Sequence, residues 1–142
     1  MPFIKIYIHL VWATKNRAPV LTKDIRRKVF KHIKEYGESK SIHIDSVNGY
    51  LEHVHLLVSL NSDQNISTIM NLIKGESSHW INKNSLTTSY FGWQDEYFAV
   101  SVSQSHIERV RNYIFGQEKH HSLKTWSEEY DELITKYGFE KG

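Results

Sequence analysis

Residues 51–60 read LEHVHLLVSL, an apolar run with two histidines set one residue apart inside it. Side chains two residues apart on a strand point the same way, so Val54, Leu56, Val58 and Leu60 share one face and His53 and His55 the other. The apolar set predicts a strand packed on a core. The two imidazoles then stand roughly 6–7 Å apart along the strand. That is close enough to lean onto one ion through neutral ring nitrogens and leave further coordination positions open. The same pattern equally describes two solvated histidines on the polar side of an amphipathic strand, and the H-x-H spacing alone leaves both readings standing.

Working outward, SIHIDSV (41–47) alternates in the same manner and Asn48-Gly49 is a turn signal, so these two strands form a hairpin or meander. Ile4, Ile6, Ile8, Leu10 and Trp12 alternate with Lys5, Tyr7, His9 and Val11, which predicts a first strand over 3–12. The polar TKNRAPV turn (14–20) ends it. Thr22 as cap, Asp24 in the first turn, and Ile25, Val29, Ile33 and Tyr36 at helical spacing predict a helix that Gly37 stops. On the other side, Ile66, Ile69, Met70, Ile73, Trp80 and Ile81 fall on one side of a helix over about 65–82. Gly75 is a weak point in it or a close approach. A loop follows, and FAVSVS (98–103) resumes strand alternation. Ser105 and Glu108 have the spacing of a capping box that opens a third helix. A last helix is expected over Ser127–Tyr137, with Tyr130, Leu133, Ile134 and Tyr137 facing in. The order β-α-β-β-α-β followed by helices is the split β-α-β pattern. It predicts an α+β protein with a ferredoxin-like antiparallel sheet and additional C-terminal helices. No repeat or composition shift divides the 142 residues, so 1–142 reads as one domain.

The absences narrow the chemistry. With no cysteine, disulfides, thiolate catalysis and thiolate metal sites are excluded, and any metal must be held by His, carboxylate or amide. Phosphate-loop, dinucleotide, H-E-x-x-H and nucleophile-elbow motifs are all missing. A net charge of +2 is too small to announce nucleic acid by itself. The apolar start carries Lys5 and His9, is too short to span a bilayer and lacks a small-residue cleavage site. It reads as a strand of a cytoplasmic protein with no membrane partner.

In the third helix Ile107, Val110 and Ile114 form the core stripe, and His106, Tyr113, Gln117 and His120 lie on an adjoining one, with Tyr113 and Gln117 neighbours at i and i+4. A tyrosine there is either a nucleophile or a half-buried amphipathic ring. His121 falls nearer the core stripe and is the poorer candidate for a site.

Taken together, EHVHLLVSL, LIKGESSHWI, FGWQDEYFAVSVSQ and VRNYIFGQEKHH, in that order, resemble the insertion-sequence-200-like single-tyrosine transposases, which share the His-hydrophobic-His motif of replication-initiator and relaxase endonucleases. The resemblance implies a transposase that cleaves single-stranded DNA beside hairpins at element ends and transfers the strand through a 5′-phosphotyrosine. Tyr113 would be the nucleophile, and His53, His55 and Gln117 the ligands of a divalent ion. It also implies a homodimer whose tyrosine helix completes the partner's site in trans, with the protein at the nucleoid when on DNA. Glu52 stands where an aspartate is usual, and Gly116 where a polar residue is frequent. Imidazole ligands by themselves favour Zn, Ni or Mn, whereas the resemblance implies Mg or Mn, which is the expectation adopted here. His120 is a possible accessory ligand, proton carrier or phosphate contact. Lys15, Arg17, Lys74, Arg109 and Arg111 are candidate phosphate contacts and Trp93 a candidate for stacking on unpaired bases. Two other readings fit the same fold: a non-catalytic hairpin-binding protein, and a metal-dependent hydrolase with water as nucleophile.

Overall fold

The computed structural model describes residues 2–138. Four strands, β1 (Tyr7–Ala13), β2 (His43–Gly49), β3 (His53–Ser59) and β4 (Phe98–Val102), form one sheet in the order β2-β3-β1-β4, every neighbouring pair antiparallel. β1 and β2 therefore run parallel with β3 between them, the split β-α-β arrangement expected from the sequence. Helices α1 (Lys23–Ser39) and α2 (Ile66–Lys83) are the two crossovers. α3 (Ile107–Phe115), α4 (Gln117–His121) and α5 (Trp126–Tyr137) follow β4.

Leu10, Trp12, Val54, Leu56 and Val58 pack with Val29, Ile33, Ile69, Met70, Ile73 and Ile81 of α1 and α2 into the main core. The opposite face is covered as well. Leu57 meets Ile107 and Ile114 of α3, while Val11 and Ala13 meet Trp126 and Leu133 of α5. Because both faces are covered, His53 and His55 are fully buried where a one-sided strand would leave them in water.

Several local expectations change. The first strand begins at Tyr7, not Phe3. Gly37 does not stop α1: the helix runs on to Ser39, and a Cβ at Gly37 would lie 2.4 Å from Ile44 Cδ1, so the glycine lets α1 approach β2. Asn48 and Gly49 are the last residues of β2 and not a turn, which lies at 50–52. A Cβ at Gly49 would sit 2.1 Å from the His53 carbonyl oxygen, which is why only glycine fits there. Asp45 interrupts the alternation of β2 as a bulge. Gly75 approaches nothing within 4 Å. Thr22 makes no side-chain cap, whereas Asn65 caps α2 by accepting from the Thr68 N–H at 2.8 Å.

The Ser105/Glu108 box does not form. A 3-10 turn over Gln104–His106 leads into α3, the serines at 103 and 105 bond His106 Nδ1, and Glu108 pairs with Arg111. The expected third helix breaks at Gly116 into α3 and α4. α5 opens one residue earlier than expected, under a capping box of Thr125 and Glu128. That start turns Trp126 and Glu129 inward and leaves Tyr137 exposed. Among the described residues no helix is long and apolar enough to cross a membrane.

Candidate metal centre and tyrosine site

β3 presents His53 and His55 on the face under α3, α4 and α5. His53 sits opposite Ala13, and His55 lies between Val11 and Asn48. The small partners at 11 and 13 leave room for two rings. Asn48 on the edge strand donates from Nδ2 to the Ile114 carbonyl at 2.9 Å, tying the end of α3 to β2. One residue earlier on α3, Tyr113 places its ring edge-on to His55, with centroids 5.4 Å apart. One residue past the Gly116 break, Gln117 is fully buried with its Oε1 2.9 Å from His53 Nε2. The structure thus brings His53, His55, Tyr113 and Gln117 together, all from one chain.

At the centre lies a residue the sequence reading passed over. The carboxylate of Glu129, 1% exposed, has Oε1 at 3.1 Å from His53 Nε2, 3.3 Å from His55 Nε2 and 3.1 Å from His121 Nε2. Its Oε2 accepts from the Tyr113 hydroxyl and from Gln117 Nε2, the latter at 3.4 Å. His120 Nε2 reaches Oε2 only at 3.4 Å and makes no hydrogen bond. His121 is therefore inside the cluster, against expectation: its ring packs edge-on to His53 and stacks on Tyr50. The signal for Glu129 was present in the sequence, since it falls three residues after Trp126 and four before Leu133 on the buried stripe of α5. Placing the helix start at Ser127 hid it.

The remaining ring nitrogens are also engaged. His53 Nδ1 lies 2.9 Å from Glu52 Oε1, and His55 Nδ1 lies 2.9 Å from His9 Nε2. Trp126 stacks on His53 with centroids 4.2 Å apart. Burial pushes the His9 imidazole down to about 3, with neighbouring His55 adding to the effect. Burial likewise lowers His55 despite Glu129. His121 is pushed down to about 4 by burial and by His53. For His53, burial is outweighed by hydrogen bonds to Glu129 and Glu52, and its pKa is raised. Burial by itself would raise Glu129, but its hydrogen bonds to His53 and His55 win and hold it at about 2. The centre is thus an anion ringed by imidazoles.

This donor set suits a divalent cation. With the Nδ1 protons of His53 and His55 pointing to Glu52 and His9, their Nε2 lone pairs face Glu129 and, for His53, Gln117 as well, an arrangement that a cation satisfies. A carboxylate behind a ligating histidine, as Glu52 stands behind His53, is the usual orienting partner of such a ligand. His53, His55 and Glu129 place one potential ligand atom each within 4.8 Å of one another.

The expected DNA contacts divide. Lys15 and Arg17 are exposed after β1, Arg17 lying over the Tyr130 ring at 4.7 Å. Arg109 is exposed on α3 and lines a cavity of about 620 Å³ beside Tyr113. Arg111 is bonded to both Asp45 oxygens at 2.9 and 2.6 Å, and Lys74 donates to the carbonyls of Gln94 and Asp95 at 2.6 and 2.9 Å, so both serve the fold. Trp93 is not available for base stacking. It is a core residue, edge-on to Trp12, donating from Nε1 to Ser77 Oγ at 2.9 Å.

The sequence model of the family described as transposase IS200 like matches residues 3–117, so this chain belongs to the IS200-like transposases, enzymes that cut and join DNA. It is 24% identical over 114 residues to the ISDra2 transposase TnpA of Deinococcus radiodurans, a match covering 77% of this chain and 81% of that protein. Its fold is similar to that of a transposase crystal structure from D. radiodurans R1, with a TM-score of 0.66 at 21% identity over 82% of this chain and 93% of that one. It is also similar to a REP-associated tyrosine transposase bound to a REP hairpin, with a TM-score of 0.65 at 17% identity over 87% of this chain and 73% of the other.

Proposed function

We propose that this transposase cleaves single-stranded DNA next to a hairpin and rejoins it, with Tyr113 as nucleophile. The observation that carries the reading is the meeting of the Tyr113 hydroxyl, both histidines and the Gln117 amide around the single carboxylate of Glu129. The hairpin-bound neighbour of the same fold supports the substrate class. His53, His55 and Gln117 would hold a divalent cation, Mn or Mg, which when bound neutralises the negative charge of the scissile phosphate.

The protein's own groups do the rest. Glu129 Oε2 accepts the phenolic hydrogen bond and fixes the direction of the Tyr113 oxygen. Attack by that oxygen forms an O–P bond, breaks the bond from phosphorus to the 3′ oxygen and leaves a 5′-phosphotyrosine. The phenolic proton ends on the released 3′-OH. The ester keeps the bond energy, so the reverse attack by another 3′-OH joins strands without a nucleotide cofactor. The cavity between α3 and α5 reaches Tyr113, and its wall carries the cations Arg109 and Lys136 together with the acidic Asp131 and Glu132. All these groups can converge within one chain, an arrangement that does not depend on the trans completion the resemblance implies. A homodimer would then serve to hold two ends. We place the protein in the cytoplasm, on DNA.

The test is a denaturing gel of protein incubated with Mn²⁺ and a labelled single-stranded oligonucleotide containing a hairpin. A covalent band is expected from the wild type, and none from Tyr113→Phe or from protein held in chelator. Cleavage without an adduct would favour the water-dependent hydrolase. Hairpin binding without any cleavage would favour the non-catalytic binding protein.

A further inference from the structure

We infer that His121 and Glu129 belong to the cation's donor set alongside His53, His55 and Gln117, making an imidazole-rich centre that takes Mn²⁺, Co²⁺ or Zn²⁺ in preference to Mg²⁺. The inference rests on the metal-dependent reading above and deepens it. Both residues lie past residue 117, where the match to the family model ends.

The distances carry the argument. Two ligand atoms on one ion with bonds of about 2.0–2.2 Å stand about 2.8–3.6 Å apart in octahedral or tetrahedral arrangements. Glu129 Oε1 meets His53, His55 and His121 Nε2 at 3.1, 3.3 and 3.1 Å, and Gln117 Oε1 meets His53 Nε2 at 2.9 Å. All four separations are edges of that size; three share Glu129 Oε1 and two share His53 Nε2.

The convergence of nitrogens on one oxygen is also what a bound cation would satisfy. A carboxylate oxygen offers two lone pairs, yet three buried ring nitrogens converge on Oε1. A neutral imidazole has one N–H, and those of His53 and His55 already have Glu52 and His9 beside Nδ1. In the tautomer with protons on Nδ1, the Nε2 lone pairs face the oxygens, and a cation between them turns repulsion into coordination. Close by, His120 Nε2 is buried without a hydrogen-bond partner, and His120, His121 and Glu129 form a second potential ligand group sharing the same carboxylate. Mg²⁺ prefers oxygen ligands, whereas three imidazoles with one carboxylate and one amide oxygen suit the later divalent ions.

Chelator-treated protein titrated by calorimetry with Mn²⁺, and separately with Mg²⁺, tests this. Wild type should bind Mn²⁺ at least about tenfold more tightly than Mg²⁺, and His121→Asn and Glu129→Gln should each weaken Mn²⁺ by about 10–100-fold. Far-UV circular dichroism without cation checks that the variants fold. Where one does not, pulsed EPR of the Mn²⁺-loaded wild type counts the coordinated imidazoles through their ¹⁴N couplings: three support the inference and two overturn it. Wild-type affinity in both variants would also overturn it, leaving His53, His55 and Gln117 as a smaller site. Absence of any cation binding by the wild type, or binding indifferent to His53→Ala, would remove the underlying reading itself.

Discussion

On the face of the sheet toward α1 and α2, Leu10, Val54, Leu56 and Val58 bury hydrocarbon against hydrocarbon. One residue along on the same strands, the other face buries His9, His53 and His55 to the same depth under α3, α4 and α5. The first face needs only shape and volume, because apolar burial is non-directional. The second needs a partner for each polar atom, because an unpaired buried group costs more than it returns in packing. Glu129, Glu52, Gln117 and Tyr113 are those partners. The first face is held by hydrocarbon alone, and the second gathers the buried polar groups between two smaller apolar clusters.

The contrast is open to attack, most forcefully from the apolar side. Leu56→Ala should destabilise the protein by about 2–5 kcal/mol in urea unfolding, since Leu56 is fully buried in the main core and the site would collapse only in part. Its covalent adduct with DNA should persist wherever the variant remains folded. A smaller effect sharpens the comparison through pH. His9 and His121 have folded values of about 3 and 4 against 6.5 unfolded, and Glu129 about 2 against 4.5. Each binds protons more readily in the unfolded chain. Their stability is therefore whole above pH 6.5 for the histidines and above 4.5 for Glu129, and is lost as pH falls through the lower values.

His53, whose value is raised, has the opposite sign: its contribution is present below 6.5 and fades as pH climbs through its folded value. With His55 lowered as well, four groups stand against one, and chelator-treated protein should lose on the order of a few kcal/mol between pH 6.5 and 3, measured by urea midpoints. His9→Gln should flatten the upper part of that curve. A curve unchanged by His9→Gln would mean that the polar face does not govern the pH response. The smallest effect lies away from both faces. Gly75→Ala, in an exposed helical turn with nothing near its Cβ, should stabilise by about 0.5–1 kcal/mol and leave the adduct unaffected.

Alternation and helical spacing made the first face legible before any coordinates. Val54, Leu56 and Val58 sit where period two puts them, and the sheet order follows from the β-α-β-β-α-β succession. The motif residues His53, His55, Tyr113 and Gln117 were also visible, although only in combination. What periodicity could not give was the cover. Nothing in EHVHLLVSL says that α5 will close over the histidines, and a glutamate inside an apolar stripe looks like a surface residue until the helix start is fixed by the Thr125 cap. His121 was misjudged for a related reason. The break at Gly116 resets the helical phase, so a wheel drawn through it assigns the wrong face beyond that point. Trp93 shows the converse error, a loop aromatic whose indole N–H finds Ser77 and whose ring joins the core.

The position of Glu129 has a practical meaning. A chain trimmed to the family segment would retain its sheet, both crossovers, the tyrosine and the amide, yet lose the carboxylate and the indole lid that close over the histidine pair. The stretch through α5 (Trp126–Tyr137) is thus unsuited to truncation when the protein is minimised. An assay on such a shortened form would report on a different pocket.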